Sequence, residues 1–275
     1  MRLCLAGLPF SVIPDQTLSP AELEALNRLA GSANPREDRQ KPCELRVSEW
    51  PGSPPRLTED GESLIEVNDG VVELKHQAYQ TRFEPGLLKG HLQRDTEHSY
   101  PLEISLRIAL CCRLPAAGGI ALHAAGINIG DAGVAFFGPS GAGKSTLSRR
   151  SPYPVFSDEL IALCGDPWEL RATGFWGELE AGPQVPQPAP LAGLVELAKG
   201  PETRIYSLAP ADALRRLLSV VVLPPDAPLW QDGMGQLSRL VETVRAFRME
   251  WCPERSPWND LSRIIDHHVN LPKTR

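Results

Sequence analysis

Apolar residues recur along this chain with two periods, and the changes of period mark its elements. The opening run MRLCLAGLPFSVIP reads as a first strand, interrupted by Pro9 and Pro14. Behind it, Ser19-Pro20-Ala21-Glu22 is a helix-opening pattern: Ser19 caps, Pro20 takes the first helical position and Glu22 reaches back to the cap. Leu23, Leu26 and Leu29 are placed on one helical face. Residues 32–56 are polar and divided by Pro35, Pro42, Pro51, Pro54 and Pro55, which predicts a long loop with one short strand at 44–47. The stretch SLIEVNDGVVELK predicts a hairpin turning at Asn68-Asp69-Gly70. Residues 1–98 are therefore expected to form a small strand-rich N-terminal domain.

Residues 99–275 are assigned to a second domain. Tyr100-Pro101 opens a helix through Arg113, with Leu102, Leu106, Ala109 and Leu110 on one stripe. Ile120–Ile129 reads as one buried strand, Gly130-Asp131 as a turn and Gly133–Phe137 as a second apolar strand. A short helix follows residue 143 and is stopped by Ser151-Pro152-Tyr153-Pro154. Val155 to Leu163 reads as a strand with Asp158 and Glu159 at its middle or end. Further helices are expected over 212–220, around Leu237, Leu240, Val241, Val244 and Phe247, and from Ser256-Pro257 through Leu261, Ile264 and Ile265. The last two stripes read as packing faces or as a contact between copies of a homo-oligomer. The whole is an α/β pattern.

Composition narrows the function classes. The 275 residues carry 28 Lys+Arg against 34 Asp+Glu, a formal net charge of −6. That balance, with no basic run, argues against nucleic acid as a partner. No stretch of 18 apolar residues predicts a transmembrane helix, and the first residues do not read as a signal peptide, so a cytoplasmic location away from membranes is expected. Six cysteines without a CxxC pair read as buried reduced thiols rather than as a disulfide framework or a zinc site.

The chemistry concentrates after the second apolar strand. GPSGAGKS matches G-x-x-x-x-G-K-[ST], with Gly138, Gly143, Lys144 and Ser145 at the defining places. In such a loop the backbone N–H groups of residues such as Ser140, Gly141 and Ala142 wrap phosphate oxygens, and bulky side chains are excluded. The following helix adds the positive end of its dipole. Lys144 supplies charge to the terminal phosphates, while the Ser145 hydroxyl is a candidate Mg²⁺ ligand, with Thr146 beside it. Downstream, Asp158 and Glu159 are candidate metal ligands on a neighbouring strand. Thr173-Gly174-Phe175-Trp176-Gly177-Glu178-Leu179 is a further candidate, with Glu178 and Trp176 at an acceptor pocket. Arg204, Arg215 and Arg216 are weaker candidates for phosphate contact.

The order LHAAGINI–GDAG–VAFFGPSGAGKST–VFSDELIAL–ATGFWGELE resembles the C-terminal catalytic domain of the HPr kinase/phosphorylase family, and most of all its compact members found beside peptide-modification genes. The resemblance covers about residues 118–222. It implies a phosphate-loop nucleotide-binding core of the HPr kinase and phosphoenolpyruvate carboxykinase type. It further implies ATP and Mg²⁺ as cofactors, and transfer of the γ-phosphoryl group to a serine hydroxyl of a peptide, a small protein or a small serine-containing molecule. Carried over by position, Gly138–Thr146 hold the triphosphate and Asp158 is the general base. Glu159 takes the metal position, where the family carries Asp, and His123 lies near the phosphates. The segment associated with the reverse, phosphate-dependent reaction is absent from the pattern, so a kinase alone is expected. The N-terminal domain is assigned acceptor recruitment by elimination. The rival expectation is a nucleotide-binding regulator without transfer activity.

Overall fold

The computed structural model describes residues 1–31, 40–50, 63–94, 99–179 and 186–269, with side chains through residue 30 in the first stretch and through 263 in the last. The chain forms a mixed α/β structure of two compact units. One is Met1–Ala117 with Leu223–Gly233, and the other is Gly118–Val222 with Met234–Arg275.

The first unit contains β1 (Arg2–Leu5), β2 (Leu8–Pro14), α1 (Pro20–Gly31), β3 (Cys43–Glu49), β4 (Leu64–Asn68), β5 (Val71–His76), β6 (Tyr79–Glu84), β7 (Lys89–Arg94) and α2 (Tyr100–Arg113). Its strands make a seven-stranded mixed sheet in the order β1-β2-β3-β7-β6-β5-β4. The expected single first strand is a hairpin, broken at Ala6-Gly7, where Ala6 and Gly7 both have positive φ. The β4–β5 hairpin turns at Asp69-Gly70, both left-handed, as a two-residue turn between right-twisted strands requires.

The start of α1 follows the pattern in the sequence. Glu22 N–H donates to Ser19 Oγ (3.2 Å), and Ser19 N–H donates to Glu22 Oε2 (2.9 Å). This reciprocal box satisfies two amides that the helix cannot. Its buried stripe is Glu22, Ala25, Leu26 and Leu29, spaced i, i+3, i+4 and i+7; Leu23, expected beside Leu26, is 43% exposed. Glu22 is fully buried because Arg94 of β7 donates to both its carboxylate oxygens. The α2 stripe of Leu102, Leu106, Ala109 and Leu110 is buried as expected. It packs on β6 and β7, and Ser105 lies 2.5 Å from Thr81. Those contacts place α2 in the first unit, so the passage between units falls at 117/118 rather than at the expected 98/99.

The second unit contains β8 (Gly119–His123), β9 (Ala125–Ile129), β10 (Ala132–Phe137), α3 (Lys144–Arg149), β11 (Val155–Ser157), β12 (Leu160–Cys164), β13 (Glu169–Ala172), β14 (Ala189–Lys199), β15 (Arg204–Leu208) and α4 (Pro210–Leu217). It is completed by most of α5 (Ala227–Thr243), by β16 (Ala246–Trp251) and by α6 (Trp258–Val269). Its nine-stranded mixed sheet runs β11-β9-β10-β14-β13-β12-β8, with β16 on β14 and β15 on β16. The pairs β10–β14 and β14–β16 are parallel.

Two sequence expectations are corrected here. Residues 120–129 are two strands, because the chain breaks at Ala124 and sends β8 to β12 and β9 to β10 and β11. Residues 155–163 are also two strands, with Asp158 and Glu159 in the break. The apolar stripes near the carboxyl end are core. Leu237, Leu240, Val241 and Val244 join one buried cluster with Phe137, Ile161 and Leu170. Phe247 lies on β16 rather than on a helix, and with Leu261 joins a second cluster around Phe136, Leu147 and Trp251. Residues so placed are packing faces. Ile264 and Ile265 lie outside the described side chains.

Candidate functional site

The glycine-rich segment leaves the carboxyl end of β10, a fully buried strand of Ala132–Phe137. It turns through Gly138, Gly141 and Gly143, all with positive φ. Gly143 precedes α3 with φ of 102°, and a Cβ there would lie 2.8 Å from the Trp251 ring. Only glycine meets both the conformation and the space. Trp251 is buried under the loop, and its indole N–H donates to Ala142 O (3.4 Å). Lys144 folds back into the loop, donating from Nζ to Gly138 O at 3.0 Å. Burial lowers its ammonium below the ordinary lysine value, and the Glu159 carboxylate nearby pulls it back up.

The acid pair is presented by a serine turn. Ser157, fully buried, accepts from the N–H of Glu159 (2.9 Å) and Leu160 (3.1 Å) and donates to Phe175 O (2.7 Å). Such a side chain offers the backbone an alternative to the ladder, which ends β11 there. Thr173 ties the next segment to the same turn: its hydroxyl donates to Leu160 O at 2.6 Å. The two acids then diverge. Asp158 is 2% exposed and accepts from three successive backbone N–H groups. Gly177 donates to Oδ1 (2.9 Å), and Glu178 (3.0 Å) and Leu179 (3.3 Å) donate to Oδ2. The Glu159 side chain is 27% exposed, and its Oε2 lies 3.4 Å from Nδ1 of His123, whose side chain is 42% exposed.

Together these residues wall a cleft of about 330 Å³. Ser140, Gly141, Gly143, Lys144, Ser145 and Thr146 form one side, and His123, Asp158, Glu159, Gly177 and Glu178 line the rest. The structure therefore brings together most of the residues singled out in the sequence. Gly138 and Ala142 are not on the wall, and Ala142 is buried. Trp176 does not line the cleft either, and its indole N–H is buried without a partner among the described residues. Glu178 meets Arg149 of α3 at 3.2 Å across exposed surface.

The arginine candidates have other occupations. Arg204 pairs with Glu202 and Arg215 with Asp212, both at the surface. Arg216 donates to both oxygens of the mostly buried Glu196 (2.7 and 2.8 Å), which Arg248 also meets at 3.0 Å. Ser157 and Trp251 escaped sequence reasoning, as did the roles of Thr173 and Gly177 within the segment it singled out. Ser157 carried a signal, as a hydroxyl at a strand break; Thr173, Gly177 and Trp251 carried none, since their partners are remote in the chain.

On the walls of one cleft a magnesium ion would find the Ser145 and Thr146 hydroxyls and, besides the amide-bonded Asp158, the carboxylates of Glu159 and Glu178. That donor set suits a cation held chiefly by substrate phosphates and water. Among the described residues, no three His, Cys, Asp or Glu side chains are grouped to hold a metal by themselves. Nor is any helix there long and apolar enough to cross a membrane. Compared with known proteins, the chain matches no family model and no curated sequence.

Proposed function

We propose that this protein is an ATP-dependent kinase that transfers a γ-phosphoryl group to a serine hydroxyl, built on a phosphate-loop core of the HPr kinase type. The observation that carries the reading is the meeting of Lys144, Ser145, Glu159 and His123 on one cleft at the carboxyl end of a parallel strand. Ligands of open α/β sheets bind at such strand ends. A triphosphate placed there meets the Lys144 ammonium and backbone amides of the glycine-rich turn, which neutralise the charge spread over its terminal oxygens.

Magnesium, when bound with the nucleotide, supplies further charge neutralisation. Ser145 and Glu159 are the residues that would hold it. The acceptor hydroxyl approaches from the side of the cleft formed by His123, Gly177 and Glu178. Its oxygen attacks the γ-phosphorus, the bond to the β–γ bridging oxygen breaks, and ADP departs with that electron pair. The hydroxyl proton passes to a base on the cleft wall. The acceptor is a peptide, a small protein or a small serine-containing molecule, as the motif resemblance implies.

The test is label transfer from γ-labelled ATP with Mg²⁺ to free L-serine, serine peptides and an HPr-type protein. Labelled phosphoserine is expected, and Lys144→Ala is expected to reduce it by about 10²–10³-fold, as for removal of one electrostatic contact to the developing charge. Tight ATP binding with no labelled acceptor would instead support a nucleotide-binding regulator.

A further inference from the structure

Two adjacent carboxylates lie at the cleft, and their hydrogen bonds differ in kind. Three successive amides, Gly177, Glu178 and Leu179, converge on Asp158, whose side chain is withdrawn from solvent. A carboxylate has about four lone-pair directions, so three of them are taken. The segment passes directly over both acids. A Cβ added at Gly177 would lie 3.2 Å from Asp158 Oδ2 and 3.2 Å from Glu159 Oε2, so the absence of a side chain there permits the approach. The segment is pinned a second time, through Ser157 to Phe175 O and Thr173 to Leu160 O. A base needs an open lone pair within hydrogen-bond reach of the proton it takes.

Glu159 is placed differently. It is partly exposed, its Oε2 points to His123, and its charge acts on Lys144. The side-chain lengths suit the division. Aspartate is short enough to capture neighbouring backbone amides, and glutamate is one methylene longer and extends into open space.

We propose that the two acids divide the labour of the cleft. Asp158 is a positioning residue that buckles residues 173–179 onto the acid turn, and Glu159 is the carboxylate that meets the magnesium–phosphate end of the nucleotide. This rests on the phosphotransfer reading above. It keeps Glu159 at the metal, as the family resemblance implies, and takes from Asp158 the part of general base that the resemblance gives it. The buckle sets the acceptor side of the cleft, because Gly177 and Glu178 are part of that wall.

The experiment compares the full chain with D158N, D158A and E159Q in two measurements. Backbone amide exchange at residues 177–179 reads the buckle. D158A is expected to speed it by about tenfold or more, with E159Q within about twofold of the parent protein, since opening of a segment follows the loss of its own contacts. D158N keeps one acceptor oxygen, covers the case in which alanine disorders the segment, and is expected to fall between. Mg²⁺-dependent ATP binding reads the other acid. E159Q is expected to weaken it by about 10–100-fold, as loss of a metal-holding group does, and D158N by less than about threefold.

Unchanged exchange in D158A would overturn the buckle. A D158N variant that keeps slow exchange and loses Mg²⁺-dependent binding as E159Q does would overturn the division. Failure of the parent protein to bind ATP would overturn the nucleotide reading and the Glu159 role with it. The exchange result would still decide the Asp158 buckle in that case.

Discussion

Glu22 and Glu159 are both carboxylates beside a cation, and they show how differently the two units use charge. In the first unit Glu22 is fully buried, closes the cap of α1 and receives two bonds from Arg94. Nothing of it is left over for another molecule. Arg113 in the same unit spends its guanidinium on the carbonyls of Pro9 and Lys41, above the Phe10 ring. In the second unit Glu159, His123 and Lys144 line an open cleft. A charge that is buried and fully paired contributes to fold specificity. A charge held on the wall of an open cleft is available for chemistry. Asp158 shows that the distinction is not one of sequence position, since it lies beside Glu159 and is used as Glu22 is.

Three changes test this contrast. The largest effect is expected from Arg94→Met. It leaves the buried Glu22 without its cation, which costs about 3–5 kcal/mol. Urea denaturation should show the first unit unfolding at much lower denaturant, with ATP affinity of the folded protein unchanged. An equal loss of ATP affinity at low urea would break the separation of roles.

Gly143→Ala should act in the opposite sense. The left-handed backbone and the Trp251 ring at 2.8 Å together cost about 2–4 kcal/mol, and the strain is relieved by moving the loop. ATP binding should fall by more than global stability does, as read by titration calorimetry beside a thermal melt. Retained affinity would mean that the loop conformation seen here is not the one that binds.

The smallest effect concerns thiols, where the two units should not differ. Burial pushes Cys43 of the first unit up to about 12, and Cys164 of the second up to about 11. Below those values the reactive thiolate is scarce, and access is closed as well. Alkylation of the native protein at pH 8 should therefore spare Cys43, Cys111, Cys112 and Cys164 and label only the partly exposed Cys4 and Cys252. Rapid labelling of Cys43 or Cys164 would show that one unit opens more readily than its burial indicates.

Local chemistry was legible wherever a residue acts on near neighbours. The Ser19-Pro20-Glu22 box, the Asp69-Gly70 turn, the α2 stripe and the glycine-rich turn before Lys144 all follow from residues within a few positions of one another. Propensity, capping and positive φ operate at that range, so the amino-acid order suffices. Strand breaks were less legible. The apolar runs at 120–129 and 155–163 contain no glycine or proline at Ala124 or at Asp158-Glu159. The sheet divides the first by drawing β8 and β9 to different partners, and the Ser157 hydroxyl divides the second by capturing the amides of Glu159 and Leu160.

The site divides in the same way. Sequence alone identified Lys144, Ser145, Asp158, Glu159 and Glu178 as candidates by residue type and spacing, and His123 through the family resemblance. It did not determine which acid the backbone amides take up. That was decided by residues 173–179, which fold back over the turn and offer three amides to the shorter side chain. Nor did it determine that Trp251 lies under Gly143. Amides seek the nearest acceptor in space and rings fill the nearest void, and in a folded chain the nearest group in space is seldom the nearest in sequence.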